Sequence, residues 1–313
     1  YKRQYRDWYF IDGFPLKSEW GEIPNFKCFG YYGGMPKLNL KNPEVEKYIT
    51  DVACYWIKEC DIDGWRLDVG DEISHFFWKN FRKAVKAVKK DLLIIGEIWH
   101  YAGDFLEGDE WDTVMNYPFY LNLIDLLADE KITVSQFVQN LGYLKGRLHK
   151  NCYPLMWNLI DSHDTARFLH LCNDNKKKQH LAAAFQLLLP GMPMIYYGDE
   201  YAMPGANDPD CRRGMYWEEE YQDKEMYEWY KRLIQVRKSH ACIVEGELAG
   251  SVTEDEEGTV VLIRKNGEET IAMIFNCSSS AKKFNEYTQK YNLLTENTFD
   301  GNVEGFDAAV IVL

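Results

Sequence analysis

Three acids and an arginine stand where short apolar runs end. Residues 61–68 read Asp-Ile-Asp-Gly-Trp-Arg-Leu-Asp, and the period-two alternation of a strand puts Arg66 and Asp68 on one face. Glu97 closes the next such run, Leu92-Leu93-Ile94-Ile95-Gly96, and Asp164 follows Pro154–Leu159 in Ile160-Asp161-Ser162-His163-Asp164. Cleavage of a glycosidic bond needs two carboxyl groups in different states, an ionised nucleophile and an acid that releases a proton to the leaving oxygen. Arg66 suits an acid that works ionised. The apolar flanks of Glu97, Ile95 and Ile98-Trp99, suit one that works protonated. Asp164 and His163 together could grip sugar hydroxyls and favour a distorted ring. The remaining histidines (75, 100, 149, 170, 180, 240) lack the H-x-x-x-H spacing of a helical zinc pair, so no metal ligand is assigned.

These acids must be carried by elements, and the punctuation predicts them. Residues 1–42 are aromatic and loop-like, with Tyr31-Tyr32-Gly33-Gly34-Met35-Pro36 as turn signals. Asn42 then Pro43 reads as an N-cap and first helical position, with Val45, Ile49, Val52, Trp56 and Cys60 on one apolar face. Ser74 caps a second predicted helix lined by Phe77, Phe81, Val85 and Val88 and ending at Lys89-Lys90. Strands are expected at 92–97, 113–116, 154–160 and 192–197, and helices from Pro118 and near 134–149, 177–189 and 223–239. With the run ending at Asp68 this makes five strands alternating with helices, which argues a parallel sheet wrapped by helices, and acids at successive C-terminal strand ends fit a β/α barrel. From about 242, β-branched runs at 259–263, 270–275 and 308–313 follow one another without helices, as in an antiparallel sandwich. That region carries no clustered acids and is read as structural.

The bulk numbers narrow the partners. At 313 residues and 46% hydrophobic the chain can bury a substantial core. A net charge of −13 argues against nucleic acid or an anionic membrane surface. Ten Trp and 21 Tyr exceed ordinary usage and suit stacking on sugar faces, with Trp99, Tyr117 and Tyr197 as candidates. The eight cysteines form no CxxC pair and no repeating frame, which fits reduced thiols in a cytoplasmic protein. No run approaches eighteen uninterrupted apolar residues, so a membrane span is not expected. Tyr1 does not resemble a natural start.

The blocks Gly64-Trp65-Arg66-Leu67-Asp68-Val69, Gly96-Glu97-Ile98-Trp99-His100 and Ser162-His163-Asp164-Thr165-Ala166-Arg167 resemble three regions of the alpha-amylase family of glycoside hydrolases (family 13). Met35-Pro36-Lys37-Leu38-Asn39 is similar to a further region that marks its neopullulanase, cyclomaltodextrinase and maltogenic amylase branch. So are residues 114–119 and 207–213. The resemblance implies Asp68 as nucleophile, Glu97 as general acid/base and Asp164 as transition-state stabiliser. Arg66 and His163 would contact the nucleophile and the sugar, and Trp99 would bind substrate. The implied reaction is retaining hydrolysis of α-glucosidic bonds in maltooligosaccharides, cyclodextrins, pullulan or starch fragments, with no cofactor and with bound calcium left open.

The resemblance also sets the expected layout. Residues 1–42 would end the loop domain inserted after barrel strand 3, 43–240 would form the second part of the (β/α)8 barrel with about five of eight strands, and 241–313 a C-terminal β-sandwich. No block resembling the family's third-strand region, Asp-x-x-x-Asn-His, occurs, so the C-terminal portion of a longer enzyme is expected. Gly70-Asp71 stands where the branch usually has Ala-Asn. Two alternatives accompany the hydrolase reading: a glucan transferase of the same family, and an inactive fragment or glucan-binding piece. The amino-acid-transporter heavy chains share the barrel but lack parts of the acid set that is intact here. Linkage preference and oligomeric state are not readable.

Overall fold

The computed structural model describes residues 3–19, 21–149 and 151–313; Tyr1 lies outside the described residues. Contacts divide the chain into two compact units, residues 1–98 with 102–114, and 99–101 with 115–313.

In the first unit, 3-10 turns and isolated bridges lead into helix α1 (Pro43–Cys60), whose Asn42 side chain accepts the Glu44 N–H. Strand β1 (Gly64–Leu67) follows, then α2 (His75–Val88), capped by Ser74, then β2 (Leu93–Gly96) and β3 (Thr113–Val114). The strands are parallel in the order β1-β2-β3, with Arg66 opposite Ile95 and Leu67 opposite Gly96. β1 is shorter than the run 61–68 because Asp61 ends α1 in the left-handed region (φ 48°). Lys89 ties that corner by donating to Asp61 Oδ1 at 3.0 Å and Asp63 Oδ1 at 3.2 Å. The apolar face expected on α1 is corrected: Val45, Ala53 and Ile57 are buried, whereas Val52, Trp56 and Cys60 are exposed. The expected row follows the 3.6-residue period as well as the i, i+4 row does, so packing against α2, not periodicity, selects Val45, Ala53 and Ile57. On α2, Phe77, Trp78, Phe81 and Val85 are buried while Val88 is exposed.

The second unit opens on α3 (Tyr117–Leu127), capped by Asn116, and α4 (Val134–Arg147), where Thr133 and Gln136 make a reciprocal capping box. Strand β4 (Trp157–Asn158), short helix α5 (Phe168–Leu171), α6 (Lys176–Leu188) and β5 (Met192–Pro193) follow, with β4 and β5 parallel. The expected strand 192–197 stops at Pro193; Gly198 takes φ 92° and the Asp199 N–H closes a turn onto Tyr196 O at 3.1 Å. Helices α7 (Lys224–Ser239) and α8 (Ala241–Glu245) lead to the β region.

That region is antiparallel. Strands β6 (Glu247–Glu254), β7 (Thr259–Asn266), β8 (Glu269–Asn276), β10 (Tyr291–Asn292), β11 (Asn297–Thr298) and β13 (Asp307–Val312) form one sheet in the order β11-β10-β13-β8-β7-β6. β9 (Lys282–Lys283) pairs with β12 (Asn302–Val303). Period two divides its side chains between two cores. Val260, Leu262, Met273, Phe275 and Val310 join the helices, with Phe275 stacked on Phe185 of α6 at 4.2 Å, while Val261, Ala272, Ile274 and Ile311 pack with Phe284, Tyr287 and Phe299. No helix among the described residues is long and apolar enough to cross a membrane.

Candidate active site

Adjacent parallel strands end side by side, and in the first unit this brings Arg66, Asp68 and Glu97 together. The ladder continues past β2, the Glu97 N–H donating to Leu67 O at 2.9 Å and the Gly70 N–H to Glu97 O at 3.2 Å. Arg66 lies inside β1, so its guanidinium reaches both acids: Nη1 donates to Asp68 Oδ1 and Nη2 pairs with Glu97 Oε1 at 2.9 Å. Glu97 Oε2 accepts the Val69 N–H at 2.8 Å. The carboxylates differ in access to solvent, the Asp68 side chain being 73% exposed and that of Glu97 5%. Burial of Glu97 agrees with its apolar flanks, but its oxygens face the Arg66 guanidinium and a backbone amide rather than apolar atoms.

In the second unit, residues 161–168 form a tight loop after β4. The Ser162 N–H donates to Thr165 Oγ1 at 2.9 Å, and the Asp164 N–H to Ser162 Oγ at 3.1 Å. Asp164, 30% exposed, pairs with His163 Nε2 and with Arg212 Nη2, each at 3.1 Å. Arg212 also holds Asp208, so the 207–213 block serves as the partner of Asp164. Trp99 stacks on Tyr117 at 3.9 Å and 13°, with its ring half-exposed. Tyr117 itself is fully buried and cannot meet a ligand; it backs Trp99, and its hydroxyl lies 3.2 Å from Ser162 Oγ. Tyr197 remains partly exposed, its hydroxyl donating to Arg213 O at 2.6 Å. A cleft of about 410 Å³ runs beside Trp99, lined also by Tyr101, Asp125, Asn140, Tyr143 and Arg147.

The chain belongs to the alpha-amylase family. Residues 3–221 match the alpha amylase catalytic domain, the span that carries every acidic block described above. The cyclomaltodextrinase of Geobacillus thermopakistaniensis (strain MAS1) is 45% identical over 89% of this chain and 47% of its own length. The intracellular maltogenic amylase of Bacillus subtilis is 42% identical over 87% of this chain and 46% of its own. A solved cyclomaltodextrinase superposes with a TM-score of 0.92 at 34% identity, covering 98% of this chain and 55% of that one. The branch indicated by Met35–Asn39 is therefore the one these relatives occupy. The chain spans about half the length of the curated relatives it matches.

One charged grouping was missed in the sequence: a buried, structural cluster in the second unit. Arg167 donates to Tyr197 O at 2.8 Å and pairs with Asp199 at 3.4 Å, its guanidinium lying over the Tyr196 and Tyr197 rings at 4.5 and 4.9 Å. Asp161 accepts the Phe168 N–H at 2.7 Å. Burial pushes both Asp161 and Asp199 up, and repulsion by Asp161 raises Asp199 further. The signal was available in the apolar approach to each acid, Leu159-Ile160 before Asp161 and Ile195-Tyr196-Tyr197 before Asp199. Among the described residues, no three His, Cys, Asp or Glu side chains converge so as to hold a metal ion. All eight cysteines are free thiols.

Proposed function

We propose that the protein hydrolyses α-glucosidic bonds in maltooligosaccharides, cyclodextrins, pullulan or starch fragments with retention of configuration. The observation that carries this is the single Arg66 guanidinium spanning Asp68 and Glu97 at the ends of adjacent parallel strands. Two carboxyls bridged by one planar fork fit the separation of about 5–5.5 Å that a covalent glycosyl intermediate requires. Asp68, open to solvent, attacks the anomeric carbon. Glu97 protonates the departing glycosidic oxygen, then takes a proton from the water that releases the sugar. Asp164 and His163 hold hydroxyls of the ring as it flattens towards an oxocarbenium ion. Trp99, braced on Tyr117, offers a flat apolar face on which a sugar can stack.

On this reading residues 1–42 belong to a loop domain, the five parallel strands of 43–240 belong to a (β/α)8 barrel, and 241–313 is a sandwich domain. The eight free thiols and a relative named as intracellular support a cytoplasmic location, and the net charge of −13 supports a neutral glucan rather than nucleic acid as partner. The test is release of reducing sugar from maltoheptaose and β-cyclodextrin by the complete natural protein. Wild type is expected to release it and Asp68→Asn to release none; undiminished activity in Asp68→Asn would sink the assignment. Product analysis with excess glucose as acceptor separates hydrolysis from transfer.

A further inference from the structure

The two backbone positions flanking the carboxylate pair are glycines, and one side chain occupies the space both leave. Gly70 lies two residues after Asp68, and Gly96 immediately precedes Glu97. A Cβ at Gly70 would come within 2.7 Å of Trp111 Cζ2 and 3.0 Å of Cη2. A Cβ at Gly96 would fall into the same indole, against Cε3, Cζ3 and Cδ2. Trp111 is 1% exposed and cannot move aside, because Phe105 stacks on it at 4.1 Å and 7° and Trp78 meets it edge-on at 5.9 Å. Close-packed interiors transmit such displacements instead of absorbing them.

Gly70 is also bonded into the site. Its N–H donates to Glu97 O at 3.2 Å, its carbonyl accepts the Trp78 Nε1–H at 2.8 Å, and the neighbouring Val69 N–H holds Glu97 Oε2 at 2.8 Å. A shift of the chain at position 70 therefore moves Asp68 along the backbone and Glu97 through these bonds. The Trp111 Nε1–H is buried with no hydrogen-bond partner among the described residues. The ring thus acts here through its shape and not through its donor.

We propose that Trp111 is a positioning residue that sets the relative placement of Asp68 and Glu97 through Gly70 and Gly96, and that positions 70 and 111 form a matched small–large pair. This rests on the reading of Asp68 and Glu97 as nucleophile and acid/base. Phenylalanine at 111 lacks the outer indole atoms Cζ2 and Cη2 that abut Gly70, so it opens room for a methyl group there. The Gly96 contact involves Cδ2 and Cε3, close to the ring's attachment, and the same replacement does not relieve it.

The experiment measures kcat, KM and thermal midpoint on a maltooligosaccharide for Gly70→Ala, Trp111→Phe and the double variant, in the complete natural protein. Gly70→Ala is expected to lower kcat about a hundredfold with KM little changed, since a misplacement near 1 Å costs that much. Trp111→Phe alone lowers kcat about tenfold, because the wedge is thinner. The double variant recovers to within about threefold of Trp111→Phe, a coupling that independent sites do not show. A double variant no more active than Gly70→Ala overturns the inference, as does an unchanged kcat in Trp111→Phe. If Gly70→Ala fails to fold, a folded and active double variant counts for the pairing, and an unfolded one against it. The parallel Asp68→Asn control keeps the two failures apart: its full activity would remove the site reading, whereas its inactivity beside uncoupled 70 and 111 removes only the positioning role.

Discussion

Two arginine–carboxylate clusters occur in this molecule, and they use the same chemistry for opposite ends. Arg66 spans Asp68 and Glu97 at a strand end where Asp68 faces water. Arg167 lies with Asp199 and Asp161 where no part of the three meets solvent, roofed by the Tyr196 and Tyr197 rings. In the first cluster a charge remains available to a ligand. In the second, one arginine faces two acids that burial pushes towards the protonated form, and Arg167 pins the loop 161–168 to the turn at 197–199. Access to water, not residue type, separates a reactive carboxylate from a structural one. Asp161 and Asp164 make the point at close range, three residues apart in one block yet buried and solvent-facing respectively.

The comparison breaks if either cluster responds to mutation like the other. The largest effect is expected at Glu97→Gln, where loss of a general acid/base should lower kcat on maltooligosaccharides about 10²–10⁴-fold while the chain stays folded. Steady-state kinetics check it, and the loss should shrink on a glucosyl fluoride, whose leaving group needs no proton. Arg167→Ala should cost about 3–5 kcal/mol of unfolding free energy by leaving buried acids unpaired. Urea denaturation reads this directly; a cost inside the scatter of surface substitutions would show that the buried cluster does not brace the loop. Arg66→Lys keeps the charge but replaces the planar fork with a single ammonium, so kcat should fall about 10–100-fold with little change in stability.

The smallest effect concerns pH. Burial raises both Asp161 and Asp199, Asp161 to about 6, so the folded chain holds protons that the unfolded chain gives up near pH 4. The cluster's contribution is therefore complete below about pH 4 and declines as the pH rises, through about 6 for Asp161 and further for Asp199. Asp199→Asn replaces one of the two raised acids with a neutral amide and should flatten that decline between about pH 4 and 7. Stability curves for wild type and variant at several pH values check it, and parallel curves would mean that burial does not raise Asp199.

Much of the site was legible in the chain itself. Arg66 and Asp68 share a face because strands alternate, and Asn42 and Ser74 cap helices because their side chains accept the free N–H groups there. Other features depended on neighbours distant in sequence. Tyr117, chosen as a sugar platform for its type, is sealed beneath Trp99, and α1 buries a different row from the one its hydrophobic residues suggest.

Local chemistry in the sequence thus determined which residues are acids at strand ends, where helices begin, and which family the chain resembles, since each depends on spacing within a few residues. Only the tertiary structure decided that one guanidinium serves both Asp68 and Glu97, that Arg167 closes a buried pair with Asp199, and that Trp111 fills the space left by Gly70 and Gly96. Each of these joins residues between 15 and 41 positions apart, by contacts and exclusion of water that no local pattern encodes.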